Sequence, residues 1–253
     1  MFKEHLEIIT EGAVKKYQFL KSGPMAYIVS AMWAGASIGI GTILIATLGA
    51  YGDKYGYAMT KAVMGFSFSV ALSIVLMWGL ELFTSSNLFM TVGGLQKRIK
   101  WRSVLSVWLI TFVGNLVGAI ILSLIYKNTG LADFVSEYFL KMAESKTSPD
   151  AISLFAKGML CNVMVCLAVL ISYKMKSESG KLIMVFLCIY TFIILGFEHS
   201  VANMTLFSMT TFLGFGEMIT PELIMHNMIP VTLGNIAGGG LLLGGSLYFM
   251  GKK

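Results

Sequence analysis

His199 is the one histidine of this chain that lies within an apolar run, in GFEHSVAN (Gly196–Asn203). An imidazole donates one hydrogen bond and accepts another, and when protonated it draws in an anion or passes it a proton. Glu198 precedes it, and Glu81 sits in equally apolar surroundings within GLELFTSSN (Gly79–Asn87). Two such carboxylates could relay protons. The simpler expectation is that each accepts hydrogen bonds from amides exposed where a helix is interrupted, because a bare carboxylate would repel an anion. Thr84, Ser85, Ser86 and Asn87 offer neutral donors, as does Asn162. Such groups can replace part of an ion's hydration shell without holding it too tightly to leave. Phe68, Leu72, Leu82 and Phe192 are placed to form dry constrictions nearby. A hydrolase using Ser200 or Thr84 with His199 and Glu198 is disfavoured, since neighbours along one helix do not line up as nucleophile, base and orienter. No nucleotide-binding loop, metal-ligand cluster or cofactor motif occurs, so neither an enzyme nor a cofactor is expected. Cys161, Cys166 and Cys188 lie in apolar runs and read as small buried hydrophobes.

The elements that must hold these residues are membrane spans. The chain is 56% hydrophobic and 13% charged, against roughly 25% charged in soluble domains. Uncharged stretches cover 22–52, 103–126 and 227–251, and 151–173 carries only Lys157. Each can cross a hydrocarbon core about 30 Å thick. Two further stretches, 62–96 and 182–216, would be roughly 52 Å long as straight helices. They are too long for one crossing and too short for two, so both should be broken near mid-membrane, around Thr84 and His199. Six crossings leave thirteen basic residues (Lys3, Lys15, Lys16, Lys21, Lys97, Arg98, Lys100, Arg102, Lys174, Lys176, Lys181, Lys252 and Lys253) on the side of the termini. Five (Lys54, Lys61, Lys127, Lys141 and Lys146) remain opposite. The positive-inside rule then puts both termini in the cytoplasm, and this distribution explains the net charge of +6 without a nucleic-acid partner.

The halves repeat. Gly-x-Glu opens both broken segments, with Asn87 and Asn203 closing them, and GNLVGAIIL (from Gly114) is echoed by GNIAGGGLL (from Gly234). Three spans per half is an odd number, so the second half must be inverted. The expected plan is one all-α membrane domain, 1–253. It comprises a cytoplasmic amphipathic helix (1–21), a first repeat (22–126), an external linker (127–150) with a short surface helix, and a second repeat (151–253). The N-terminal helix is expected either at the membrane interface or against a neighbouring subunit. GxxxG spacings at Gly114/Gly118 and Gly234/Gly238 permit close helix contact.

At ELFTSSNLF (Glu81–Phe89), GFEHSVANM (Gly196–Met204) and NVMVCLAV (from Asn162) the chain resembles the formate/nitrite transporter family over essentially its whole length. The resemblance implies an aquaporin-like protomer with its own pore, assembled as a homopentamer in the bilayer, that passes formate, nitrite or hydrosulfide. It also implies that His199, Thr84, Asn162 and an external Lys146 serve the anion. Constrictions would fall at Phe68, Leu72, Leu82, Val165 and Phe192, with Glu81, Glu198, Asn87 and Asn203 supporting the breaks. MTLFS (Met204–Ser208) is closer to nitrite and hydrosulfide members than to formate channels, and LFTSSN looks most like the hydrosulfide branch. The expectation is therefore an anion channel, hydrosulfide first, with nitrite or formate next. A neutral-solute pore of the aquaporin or ammonia kind is the reading from another class. Proton transfer from or through His199 would let the ion cross as its neutral acid.

Overall fold

The computed structural model describes residues 2–252, so Lys253 of the basic set above lies outside the described residues. The described residues are helical throughout, connected by turns. In chain order they form α1 (Phe2–Ser22), α2 (Pro24–Tyr55), α3 (Thr60–Trp78), α4 (Phe83–Leu95), α5 (Trp101–Lys127) and α6 (Ala132–Thr147). There follow α7 (Ala151–Lys174), α8 (Glu178–Ile194), α9 (Ser200–Phe212), α10 (Pro221–Ile236), a π-helical stretch (Ala237–Gly244) and α11 (Gly245–Gly251). Four unbroken crossings are α2, α5, α7 and the continuous Pro221–Gly251. The other two are α3 with α4 and α8 with α9, each pair split by a few non-helical residues, as the excess length requires.

Elementary signals set the boundaries. Pro24 opens α2, where its missing N–H costs nothing, and Gly56 closes it in the left-handed region at φ 69°. Asp150 caps α7 by accepting the amides of Ile152 and Ser153. The bonds from Ser153 hold this exposed carboxyl below the usual carboxylate range. Close helix contact comes from glycine: a Cβ on Gly118 would overlap the Met32 carbonyl, and one on Gly238 the Met159 carbonyl. The α2–α5 pair, and α7 with the Pro221–Gly251 crossing, thus approach alike, one in each half.

The surface helices belong to this plan. α1 buries Leu6, Ile9, Ala13 and Leu20 and packs on α4 and α11 of its own chain. Much of its apolar stripe is thus taken up within the protomer, while Phe2 and Phe19 stay exposed. α6 likewise packs on α9 and α2, so 132–147 is more than a linker: it stands to the second half as α1 stands to the first. The π-helical stretch has no counterpart in the sequence expectations.

Valine at Gly118 or Gly238 should abolish a monodisperse peak in size-exclusion chromatography. Alanine at Gly245, which has no atom within 4 Å of an added Cβ, should leave the profile unchanged.

Candidate functional site

The two breaks are built alike. α3 ends on Gly79 at φ 74° and α8 runs into Gly196 at φ 72°. The next amides turn back onto the preceding helices, Leu80 N to Val75 O at 2.9 Å and Phe197 N to Phe192 O at 3.0 Å. The chain is then extended at Leu82 and His199 before α4 and α9 begin. Asn115 Oδ1 accepts the first helical amide, Phe83 N (2.9 Å), while its Nδ2 donates to the carbonyls of Glu81 and Ala31. Asn235 repeats this with Ser200 N (2.9 Å), Glu198 O and Gly158 O. Each asparagine therefore staples a half-helix to two neighbours. The staples fix the register of the repeat, in which Leu82 corresponds to His199 and Ser86 to Asn203. Matching Asn87 with Asn203, as the motif spacing suggests, is off by one residue.

His199 is the N-cap of α9 and 3% exposed. Its Nδ1 accepts the Ala202 amide at 3.2 Å, which leaves the ring proton on Nε2. Nε2 lies 3.1 Å from Thr84 Oγ1 and donates to it. The Thr84 hydroxyl keeps its own proton to donate onward. The remaining first-turn amides of α4 and α9 lack intrahelical acceptors and their helix dipoles present positive ends, so the two half-helices make a donor-rich centre. Thr84 and Ser85 lie in the first turn of α4, with the break itself at 79–82.

The carboxylates take lysines, not the amides expected for them. Glu81 accepts Lys16 Nζ of α1 at 2.6 Å and the Tyr27 hydroxyl at 3.2 Å. Glu198 accepts Lys146 Nζ of α6 at 3.0 Å to each oxygen and Asn203 Nδ2 at 2.8 Å. Asn227 ties Asn203 to the Lys146 carbonyl. Both carboxylates are buried, and removing one partner of a buried pair costs about 3–5 kcal/mol. Lys146 is thus spoken for by Glu198, and Lys16 is its counterpart. Asn162 also departs from expectation. It is fully buried, and its Nδ2 donates only to protein acceptors, the Thr84 and Asn235 carbonyls and Asn87 Oδ1. It braces α7 against α4, and Asn87 serves that brace, not the Glu81 carboxylate.

Phe68, Leu72, Leu82, Val165 and Phe192 are all buried in one apolar cluster. Phe68 and Phe192 meet edge to face at 5.8 Å, and Phe192 stacks over His199 at 6.1 Å. With His199, Lys146 and Asn203 they line a cavity of about 30 Å³ under α6. On the α1 side a vestibule of about 640 Å³ reaches Leu76, Leu80, Glu81 and Val169. Leu72, Leu82 and Val165 border neither space. Sequence reasoning missed Asn115, Asn235, Lys16 and Tyr27. The repeated Gly-Asn pairs signalled the two asparagines, whereas nothing distinguishes Lys16 from its neighbour Lys15.

A family model described as formate/nitrite transporter matches residues 3–249. This chain belongs to the formate/nitrite transporter family. It is 34% identical over 255 residues to the nitrite transporter NirC of Escherichia coli, covering 100% of this chain and 94% of that one. Among solved structures, an "FNT family ion channel" superposes with TM-score 0.91 at 32% identity, covering 98% of each chain. A "pentameric formate channel with formate bound" gives TM-score 0.77 at 27% identity, covering 92% of this chain and 99% of that one. This formate/nitrite transporter family channel is accordingly an all-α, multi-pass membrane protein, and its relatives carry the names of transporters and channels.

Replacing Asn115 or Asn235 by alanine orphans one buried amide and two carbonyls, at about 1–3 kcal/mol for each group left unpaired. Either variant should unfold at distinctly lower temperature by circular dichroism in detergent. An unchanged midpoint would contradict the staple.

Proposed function

We propose that this channel passively conducts small monovalent anions across the cytoplasmic membrane, hydrosulfide in preference to nitrite and formate. In this reading it acts as a homopentamer with one pore per protomer and both termini in the cytoplasm. What supports the hydrosulfide preference is the sequence of the two half-helices: LFTSSN looks most like the hydrosulfide branch, and MTLFS (Met204–Ser208) is closer to nitrite and hydrosulfide members than to formate channels. The uneven basic charge, thirteen residues against five, supports the orientation, and the pentameric formate channel supports the assembly.

In this proposal the ion enters from the wide vestibule beside Lys15 and Lys181. The ion sheds water at Leu72, Leu82 and Val165 and accepts a hydrogen bond from the Thr84 hydroxyl, which itself accepts His199 Nε2–H. It then leaves past Phe68 and Phe192. His199 acts as a neutral donor. Surrendering the Nε2 proton to the ion would leave an imidazolate unless Nδ1 gained one, and Nδ1 is occupied by the Ala202 amide. The relay form of the mechanism is therefore the weaker one. With Lys146 neutralised by Glu198, its contribution is to hold the second break in place, not to steer ions.

A second reading, nitrite conduction, is favoured by the full-length similarity to NirC. Flux competition in proteoliposomes separates them: hydrosulfide should be carried fastest and chloride excluded. Faster nitrite flux would give the second reading, and solute flux insensitive to an imposed anion gradient would give a neutral-solute pore. Thr84→Val keeps the shape and removes the hydroxyl donor, a loss of about 1.4 kcal/mol or tenfold in hydrosulfide flux. Unaltered flux would remove Thr84 from the path.

A further inference from the structure

Away from the pore, the staples expose a difference between the halves. Seven residues before Asn115 stands Trp108, and seven before Asn235 stands Met228. Trp108 wedges beside α4, donating Nε1–H to the Ser86 carbonyl at 3.2 Å. Five residues after Asn235, Gly240 brings the π-helical stretch so near to α4 that an added Cβ would press on Thr91 Oγ1. The space beside α4 is thereby closed. Beside α9 the equivalents are Met228 and Ile120, and there a groove of about 640 Å³ opens between α5, α9 and α10. It is walled by Phe112, Leu116, Met204, Phe207, Met225 and Met228. The hydroxyl of Thr232, also in its wall, is buried without a hydrogen-bond partner among the described residues. Met225 and Ile229 at its mouth are more than half exposed.

We propose that this groove is a binding site for the acyl chain of a bilayer phospholipid, which supplies beside α9 the packing that Trp108 supplies beside α4. Its depth among three membrane crossings puts it in hydrocarbon, where apolar tails are the abundant occupant. Three methionines on its wall favour an occupant without fixed shape, because unbranched thioether side chains refill irregular space. No basic residue lines it, so the tail, not a charged headgroup, is what it recognises. Met204 belongs both to the groove and to the apolar cluster around the pore, so the tail braces the half-helix that carries His199.

The test is photocrosslinking of the full-length protein in nanodiscs of phosphatidylcholine carrying a diazirine on the acyl chain, with adducts mapped by mass spectrometry. Adducts should concentrate on α9 and α10 around Met204, Met225 and Met228 above the average for exposed apolar residues. Met228→Trp, which refills the groove as Trp108 fills its counterpart, should erase that excess while the oligomer persists on native gels; Met228→Phe serves if the larger ring prevents folding. No excess in the unaltered protein would overturn the proposal. So would an oligomer that dissociates on refilling, since the groove would then seat a second copy of the chain.

Discussion

Backbone that unwinds at membrane depth exposes amides and carbonyls that no water can satisfy, and here that debt falls at Gly79–Leu82 and Gly196–His199. Asn115 and Asn235 meet it. One side chain in each half holds the first amide of a half-helix and a carbonyl of the preceding break, and reaches a carbonyl on a neighbouring crossing. Everything else at the centre depends on these two staples. They set where α4 and α9 start, hence where Thr84 and His199 meet and which amides remain free. The lysine–glutamate pairs act one layer out, tying each break to its surface helix, α1 or α6.

The staples are symmetric, but the groups they position are not. The position of His199 in one half is held by Leu82 in the other, so the centre has one imidazole donor and one apolar side chain instead of two equal donors. A pair of imidazoles would bind an anion more tightly and release it more slowly. A pair of leucines would leave the ion without replacement for its water. The unequal spaces on either side, about 640 Å³ against about 30 Å³, express the same asymmetry at larger scale.

Much of this was legible in the chain. Charge-free length revealed the spans, and excess length revealed the two breaks, because both follow from bilayer thickness alone. His199 stood out because an ionisable group in an apolar run is rare. Other assignments needed distances. A lone Asn162 in a span reads as a pore donor, yet its amide is consumed by Thr84, Asn87 and Asn235. Lys16 lies 65 residues from Glu81 on a helix with several lysines, so no local pattern could select it. The one-residue offset between Asn87 and Asn203 was invisible until Asn115 and Asn235 fixed the register. The π-helical stretch, made of alanine, glycine and leucine, had no sequence signature separating it from ordinary helix.

The central claim is that His199 is a neutral donor, its Nδ1 lone pair held by the Ala202 amide and its proton on Nε2. Nitrogen-15 solid-state NMR of histidine-labelled protein in lipid at neutral pH reads this directly, with a His199→Asn sample identifying the resonance. Two distinct ring nitrogens, Nδ1 bare and Nε2 protonated, should be observed. Two protonated nitrogens, or the proton on Nδ1, would contradict the account.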